Sequence, residues 1–455
     1  MSTIAAISTA TGSGGIGIIR MSGDNCFKIL SKIFKPHNDY SEINGYTMRF
    51  GHICDENGDI VDEVLVSYFV GPKSYTTENM CEINSHGGLV VERKILDLCL
   101  KNGAELAEPG EFTKRAFLNG RIDLVQAESV IDLINSKSEK EAKASISQLE
   151  GNLSRNINNI KAELLDLMAD VEANIDYPEY DIEDVTNNKI LLKLDSIENK
   201  LNKISSSFKN GKVLREGIKT AIVGKPNAGK SSLLNTILNE ERAIVSEVQG
   251  TTRDTIEEFV TIEGITLKLI DTAGIRNTND EIEQIGVKKS KKVIDDAELI
   301  ISIFDGSRAL EEEDYQILNL IKDKNAIIVI NKVDIKQTGI ENDELIKSLN
   351  KKIIKMSAKN GDNIEELYET ISEMFKVNDI EIDDGEILTN IRHKSQIDLA
   401  LNSIKLTRET IKNNMPVDII EIYLKQILSD LGKITGDDIS EDIMNEIFSK
   451  FCLGK

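Results

Sequence analysis

The sequence predicts a multidomain protein of mixed α/β and all-α class, in which an N-terminal α/β domain precedes a central helical domain that a second α/β domain interrupts. Its 455 residues exceed one ordinary hydrophobic core and suggest about three domains. Apolar residues recur at helical spacing after Asp123, and the same period returns near Ile387. Strand-like runs that end at polar motifs fill the interval. The predicted domains are 1–119, 120–215, 216–378 and 379–455.

Composition limits the partners and the compartment. The chain has 55 basic and 77 acidic residues and a formal net charge of −22, which favours solubility and opposes direct binding to nucleic acid. No apolar run approaches the ~20 residues of a membrane span, and Met1–Ala10 lacks the pattern of a secretory signal. Five cysteines without CxxC spacing argue against a disulfide framework and against a zinc site. We therefore expect a cytoplasmic protein without a membrane role.

Two stretches of helical period frame the inserted domain. Apolar residues follow a helical stripe over Ile157–Phe208, broken at Tyr177–Pro178, and again over Ile397–Phe448, where Pro416 opens a helix. Neither stretch looks complete alone, so we predict one helical domain with an insertion. Such stripes are more often core than function.

The centre of the inserted domain is a phosphate-binding loop. An apolar strand pattern, Ala221–Val223, leads into Gly224–Ser231 at GxxxxGK[ST] spacing, and Leu233–Leu238 follows as a helix. Glycines allow backbone N–H groups to surround phosphate oxygens, Lys230 adds a positive charge, and Ser231 offers a hydroxyl to magnesium. Chance clustering of these residues is improbable in a strand, loop and helix context.

The later motifs narrow the ligand to a guanine nucleotide. Asp271–Gly274 supplies a carboxylate to the magnesium shell and an N–H group to the γ-phosphate. Within Asn331–Asp334, the carboxylate of Asp334 accepts the N1–H and exocyclic N–H groups of guanine, which adenine does not offer. Ser357–Lys359 closes the base pocket.

The strands that carry these motifs predict a doubly wound, mostly parallel sheet of the Ras-like P-loop GTPase type. The strand candidates are Thr220–Val223, Glu258–Ile262, Thr266–Ile270, Leu299–Phe304, Ala326–Ile330 and Ile353–Met356.

A switch segment is expected at Gly250–Asp254, where Thr252 is the candidate for the second magnesium hydroxyl. Ile275 stands where Ras-like proteins carry their water-positioning glutamine, so water must be oriented in another way. Arg276 and the carboxylates Asp280, Glu281 and Glu283 follow in the second switch region. On spacing alone each fits a solvated surface charge, and Arg276 is kept as a catalytic candidate.

Three clusters mark the N-terminal domain: Gly14–Arg20, Glu82–Gly88 and Phe117–Arg121. On spacing alone, Arg20 is a solvated strand end, Glu82 an edge carboxylate and Arg121 a surface cation. The glycines lack the full GxGxxG frame, so they do not indicate a dinucleotide site.

Together these features resemble the MnmE family of tRNA-modification GTPases, also called TrmE. The resemblance spans the whole chain and is most specific at Gly224–Ser232, at Gly250–Asp254 and at the terminal Cys452–Lys455. It implies that the N-terminal domain binds a tetrahydrofolate derivative, in methylene or formyl form, and forms a homodimer. The implied folate-binding residues are Arg20, Glu82, Arg121 and Lys455. Cys452 is implied as a catalytic thiol, with a buried apolar residue in a docked tail as the alternative.

The resemblance also implies a potassium-activated GTPase. Its potassium ligands are Asn227, Ser246, Val248 and Thr251, its magnesium ligands are Ser231 and Thr252, and Glu283 activates the attacking water. The full GTP-binding set is Asn227, Ala228, Gly229, Lys230, Ser231, Ser232, Ser246, Glu247, Val248, Gln249, Gly250, Thr251, Thr252, Asp271, Thr272, Ala273, Gly274, Asn331, Lys332, Asp334, Ser357, Ala358 and Lys359.

The implied reaction adds an aminomethyl or carboxymethylaminomethyl group to carbon 5 of the wobble uridine of certain tRNAs. It requires the FAD-containing partner MnmG, in a heterotetramer, and GTP hydrolysis supplies conformational work. Two other interpretations stay open. A regulatory or ribosome-assembly GTPase shares the guanine motifs but has no use for the N-terminal clusters and the terminal cysteine. A stand-alone folate enzyme has no use for the guanine motifs.

Overall fold

The computed structural model describes residues 2–10, 12–38, 43–176, 183–239, 244–248, 257–262, 264–270, 291, 293–375 and 387–455. It divides into two compact units. The first comprises Met1–Ile131, Gln148–Leu194 and Leu399–Lys455, and the second comprises Asp132–Ser147 and Asp195–Asp398. None of the described helices is long and apolar enough to cross a membrane.

The first unit contains a seven-stranded sheet. Its strands are β1 (Ile4–Ile7), β2 (Gly17–Ser22), β3 (Phe34–Pro36), β4 (Thr47–Cys54), β5 (Ile60–Phe69), β6 (Met80–Ser85) and β7 (Glu105–Leu106). The strand order is β3-β4-β5-β6-β2-β1-β7, and all neighbours are antiparallel except β1 and β7. One sheet face packs on helices, because alternate residues of β2 and β6 such as Ile19, Met21 and Ile83 are fully buried.

Helices form over both stretches for which the sequence predicts a helical period. The described α-helices are α1 (Cys26–Ile33), α2 (Leu89–Lys101), α3 (Glu111–Leu118), α4 (Leu124–Ile134), α5 (Glu139–Leu149), α6 (Asn152–Asp176), α7 (Glu183–Ser206), α8 (Phe208–Glu216), α9 (Lys230–Asn239), α10 (Glu312–Leu320), α11 (Glu344–Ser348), α12 (Ile364–Phe375), α13 (Ile391–Lys412), α14 (Val417–Thr435) and α15 (Glu441–Ser449). In the first unit α6 packs against α14 through the apolar stripes that the sequence predicts as core. Pro416 is the N-cap of α14, which confirms it as the residue that opens that helix. The predicted break at Tyr177–Pro178 lies outside the described residues.

The second unit is built on a seven-stranded sheet. Its strands are β8 (Ile218–Val223), β9 (Ile244–Val248), β10 (Glu257–Ile262), β11 (Ile265–Leu269), β12 (Leu299–Asp305), β13 (Ala326–Asn331) and β14 (Lys352–Lys355). The strand order is β14-β13-β12-β8-β11-β10-β9. The five strands from β14 to β11 are parallel, whereas β10 and β9 are antiparallel additions at one side. Helices on both faces bury two apolar clusters. The predicted mostly parallel, doubly wound sheet is confirmed, and the described polar motifs, residues 224–231, 331–334 and 357–359, lie at the carboxyl ends of β8, β13 and β14.

Candidate functional site

The phosphate-binding loop lies between β8 and α9, as the sequence predicts. Val223 ends the strand, and Lys230 is the first residue of the helix. The Lys230 ammonium donates to the main-chain oxygens of Gly224 and Lys225, at 2.7 and 2.8 Å. These two hydrogen bonds hold the lysine across the mouth of the loop, where a phosphate oxygen is its natural acceptor.

Backbone conformation gives the loop its shape. Asn227 has φ +61° and Gly229 has φ +110°, both in the left-handed region that favours asparagine and glycine. A Cβ atom at Gly229 would lie 2.0 Å from Nδ2 of Asn331, so only glycine fits there. The helix that follows presents its N-terminus to the loop. This combination suits a bound phosphate group.

Asn331 connects the base motif to the phosphate loop. Its Nδ2 donates to the main-chain oxygen of Ala228 at 2.8 Å, and its Oδ1 accepts from the N–H group of Ala358 at 2.8 Å. The side chain is buried, so both hydrogen bonds are protected from water. Ser357 donates to Oδ1 of the exposed Asp334 at 2.8 Å. The structure therefore brings the three motifs of residues 224–231, 331–334 and 357–359 together.

The remaining nucleotide residues divide into two groups. Ser246, Glu247 and Val248 lie on β9, which pairs with β10 in the register Ser246 to Phe259. The others lie outside the described residues: Gln249, Gly250, Thr251, Thr252, Asp271, Thr272, Ala273, Gly274, Arg276 and Glu283. Their predicted roles stay predictions.

A second cluster of predicted residues forms in the first unit. Arg20 and Glu82 are cross-strand partners on β2 and β6, and the Nε and Nη2 groups of Arg20 donate to Oε1 of Glu82 at 2.9 and 2.7 Å. Their side chains are only 16% and 20% exposed. The expectations of a solvated strand end and an edge carboxylate were therefore wrong, because both strands lie inside the sheet and their side chains meet across it.

Tyr75 joins Arg121 to this pair, and no pattern in the sequence predicts it. The guanidinium carbons of Arg20 and Arg121 lie 5.7 and 4.8 Å from the centroid of the Tyr75 ring. Nη1 of Arg121 also donates to the main-chain oxygen of Tyr75 at 3.1 Å, while the Tyr75 hydroxyl lies 3.0 Å from Oγ1 of Thr113. Arg121 is exposed, as expected of a surface cation. Two guanidinium groups thus lie around one aromatic ring.

A buried arginine fixes the segment that carries Tyr75. Arg115, on α3, is 5% exposed and donates to Glu78 at 3.2 Å and to Glu111 at 2.8 Å. Ser22 donates to the same Glu78 at 2.7 Å. Buried charges of this kind are stable only when they are paired, so the network favours one conformation of the segment.

The C-terminal tail docks on the same cluster. The main-chain oxygen of Gly454 accepts from Oγ of Ser8 at 3.0 Å and from Nη1 of Arg20 at 3.2 Å, and that of Lys455 accepts from the N–H group of Phe112 at 3.1 Å. Cys452 is exposed, which excludes its interpretation as a buried apolar residue. We call Arg20, Tyr75, Glu82, Arg121 and Lys455 the N-terminal site.

Comparisons with known proteins identify the family. Residues 3–121 match the family model described as "GTP-binding protein TrmE N-terminus", and residues 124–452 match "MnmE helical domain". A protein of Acetivibrio thermocellus named tRNA modification GTPase MnmE is 51% identical over 100% of this chain and 99% of its own length. The chain belongs to the MnmE family.

Further members of the MnmE family match over almost the whole chain. The proteins of the same name from Finegoldia magna and Clostridioides difficile are 47% and 48% identical, over 99% and 100% of this chain and 99% of their own lengths. The chain is therefore a GTP hydrolase of the tRNA-modification class, with the N-terminal, helical and guanine-nucleotide parts that the sequence predicts.

Proposed function

We propose that this GTPase acts with an FAD-containing partner of the MnmG type to add an aminomethyl or carboxymethylaminomethyl group to carbon 5 of the wobble uridine of certain tRNAs. The observation that carries the proposal is the docked tail: the thiol-bearing segment Cys452–Lys455 lies against Arg20. A chain that only switched between GTP and GDP states would have no use for such a site. The tRNA substrate itself is supported by the names of the relatives.

The N-terminal site suits a tetrahydrofolate derivative. The guanidinium groups of Arg20 and Arg121 match the carboxylates of a folate tail, and the Tyr75 ring offers an aromatic face. Glu82 is an acceptor for the donor edge of a pterin, and Lys455 adds a cation. The bound folate would supply the one-carbon unit. Cys452, exposed beside it, is the proposed thiol of that chemistry.

In the second unit, Asp334 selects guanine and Lys230 binds the phosphates. Magnesium would be held by Ser231 and Thr252, and would neutralise charge on the phosphate oxygens. Ser231 fits this role because it lies in the first turn of α9, directly after the phosphate loop. The residues proposed to act on the attacking water and the leaving phosphate are Glu283 and Arg276.

Potassium would be held by Asn227, Ser246, Val248 and Thr251, and would place positive charge where other GTPases use an arginine finger. Asn227 fits because its left-handed backbone, at φ +61°, stands at the turn of the phosphate loop. Because the ion would supply the positive charge, Asn227 needs to contribute only one side-chain oxygen as a ligand.

A homodimer is proposed through the open face of the N-terminal sheet. Phe50 on β4 and Leu65 on β5 are cross-strand partners, yet they are 41% and 43% exposed. Met48, on the same face of β4, is 57% exposed. An apolar sheet face of this kind favours contact with a second copy of the chain. The same assembly, with the FAD-containing partner, is proposed to work in the cytoplasm.

The test is mass analysis of wobble uridines in tRNA from cells that lack this protein. We expect the C5 modification to disappear and to return with the wild-type gene. It should not return with Cys452→Ser, with Arg20→Ala or with Asp334→Asn. Ser31→Ala, at an exposed position of α1 that belongs to neither set of site residues, serves as the matched control. Unchanged uridines in the deletion strain would reject the proposal in favour of a pure switch GTPase.

A further inference from the structure

Asp305 and Lys332 form an ion pair beside the base motif. Asp305 is the last residue of β12 and lies opposite Asn331 of β13 in the sheet register. The Lys332 ammonium lies 2.6 Å from Oδ2 of Asp305, with side-chain exposures of 33% and 11%. Asp305 belongs to none of the sequence motifs that predict guanine binding.

Lys332 has a backbone conformation that needs support. Its φ is +66°, in the left-handed region that costs a side-chain-bearing residue about 1–2 kcal/mol. Its main-chain oxygen accepts from Nε2 of Gln337 at 2.6 Å and from the N–H group of Ile335 at 3.2 Å. Such conformations persist where the surroundings fix them from several sides, and Asp305 fixes the side chain.

Asp305 is itself held in place. Its Oδ1 accepts from the N–H group of Ser307 at 3.0 Å and from the Ser307 hydroxyl at 2.6 Å. Burial by itself would raise the pKa of Asp305, but hydrogen bonds from Lys332 and Ser307 outweigh it and hold that pKa below its usual value. The carboxylate is therefore charged at neutral pH, with one oxygen for the turn and the other for the lysine.

A second ion-pair link joins the phosphate-binding loop to the start of α10, and it is weaker. Lys225 of the phosphate loop pairs with Glu311 and Glu313, but these two carboxylates are 60% and 59% exposed. Exposed ion pairs contribute little, because water and salt screen them. The pair of Asp305 and Lys332 is less exposed and has a fixed geometry, so it is the stronger of the two links.

We propose that Asp305 is a positioning residue for guanine-nucleotide binding, which holds Lys332 in its left-handed conformation and thereby sets the positions of Asn331 and Asp334. The proposal rests on the proposed role of residues 331–334 as the guanine-binding motif. Asp305 acts through Lys332 and makes no contact with the base itself.

The test is Asp305→Asn in the full-length chain, with affinity for a fluorescent GDP analogue measured by titration and by its dissociation rate. Asparagine keeps the Oδ1 acceptor for Ser307 and loses only the charge that faces Lys332. We expect the Kd to rise about tenfold, mainly through faster dissociation, while kcat at saturating GTP stays within about twofold. Asp295→Asn is the matched control, since Asp295 pairs with Lys324 at 3.0 Å and is 56% exposed.

A double variant separates positioning from a general structural role. In a Lys332→Gln background, Asp305→Asn should cause no further loss of affinity, because the lysine through which it acts is gone. An equal loss in both backgrounds, or an unchanged Kd in the single variant, would overturn the proposal. The proposal would also be overturned if Asp305→Asn, compared with Asp295→Asn, lost as much free energy of unfolding as it lost free energy of GDP binding.

Asp334→Asn distinguishes a failure of the positioning role of Asp305 from a failure of the guanine-binding assignment of residues 331–334. If it weakens GDP binding and Asp305→Asn does not, only the positioning role fails. If neither substitution changes the affinity, the guanine-binding assignment of residues 331–334 fails too.

Discussion

The main-chain oxygen of Gly454 accepts a hydrogen bond from Nη1 of Arg20 at 3.2 Å, across 434 residues of sequence. The same arginine donates to Glu82 through its Nε and Nη2 groups. One guanidinium group therefore orients both a carboxylate of the sheet and the tail that carries Cys452. Because the donors of arginine form a rigid fork, neither contact can shift without the other.

Gly454→Ala should displace the tail. Gly454 has φ +86°, and a Cβ atom there would lie 2.2 Å from the main-chain oxygen of Ile7. We expect affinity for formyl-tetrahydrofolate, measured by calorimetric titration, to fall at least about tenfold while GTP affinity stays unchanged. Gly103→Ala is the control, because Gly103 has φ +108° with no atom near its Cβ position. Equal losses in the two variants would assign the effect to backbone strain and not to the tail.

Asn331→Ala should damage the nucleotide pocket and the fold together. It leaves the main-chain oxygen of Ala228 and the N–H group of Ala358 without their buried partner. We expect the free energy of unfolding to fall by about 2–3 kcal/mol and GDP affinity to fall at least about tenfold. Denaturant unfolding and nucleotide titration measure these effects. The exposed Asn360→Ala serves as the control, and a normal GDP affinity in Asn331→Ala would contradict the bridging role.

Local sequence predicted the second unit better than the first. Its six strand candidates are confirmed, because these strands, five of them parallel and β10 antiparallel, are short runs rich in buried apolar residues that stand out from their neighbours. The sequence missed β9, Ile244–Val248, an edge strand whose pairing with β10 depends on a partner and not on its own pattern. Asp305 was missed for a related reason, since its partner Lys332 lies on the neighbouring strand end.

The N-terminal site required tertiary information. Arg20 and Glu82 are 62 residues apart, and only the register of β2 against β6 makes them partners. No local period distinguishes such a pair from two solvated charges. Tyr75 lies in a loop, where spacing carries no signal of function. Family resemblance implied four of the five residues of the N-terminal site, and the fold added Tyr75.

Asn227→Gly should separate potassium activation from nucleotide binding. Glycine adopts the observed φ of +61° without strain, so the loop keeps its shape while the side-chain oxygen is lost. We expect GTP binding to persist, and we expect the variant to lack the severalfold acceleration of hydrolysis by potassium over sodium that is proposed for the wild type. Steady-state phosphate release in the two salts measures this. If the wild type hydrolyses GTP equally fast in both salts, the potassium site is wrong. If the variant is accelerated by potassium as much as the wild type, Asn227 is not a ligand.

Glu141 should make the stability of α5 depend on pH. Its side chain is buried, and this burial raises the pKa to about 7, against the opposing effect of the hydrogen bond from the Lys137 N–H group at 2.7 Å. Asp132 raises that pKa further, and Arg215, which pairs with Asp132 at 2.8 Å, lowers it. The folded form therefore holds its proton more tightly than the unfolded form, whose carboxyl has the ordinary value of about 4.5.

The direction of the effect follows from that difference. The stabilisation is fully present below about pH 4.5 and is lost as pH rises to about 7 and beyond, by at most about 3 kcal/mol. Glu141→Gln keeps an acceptor for Lys137 and cannot ionise. Between pH 5 and about pH 8, hydrogen exchange should therefore show that the free energy of opening of the α5 amides decreases in the wild type relative to the glutamine variant. Other carboxylates are common to both chains, so their titration cancels in the comparison. Parallel pH profiles would mean that Glu141 is ionised throughout this range and that α5 contains no buried protonated carboxyl.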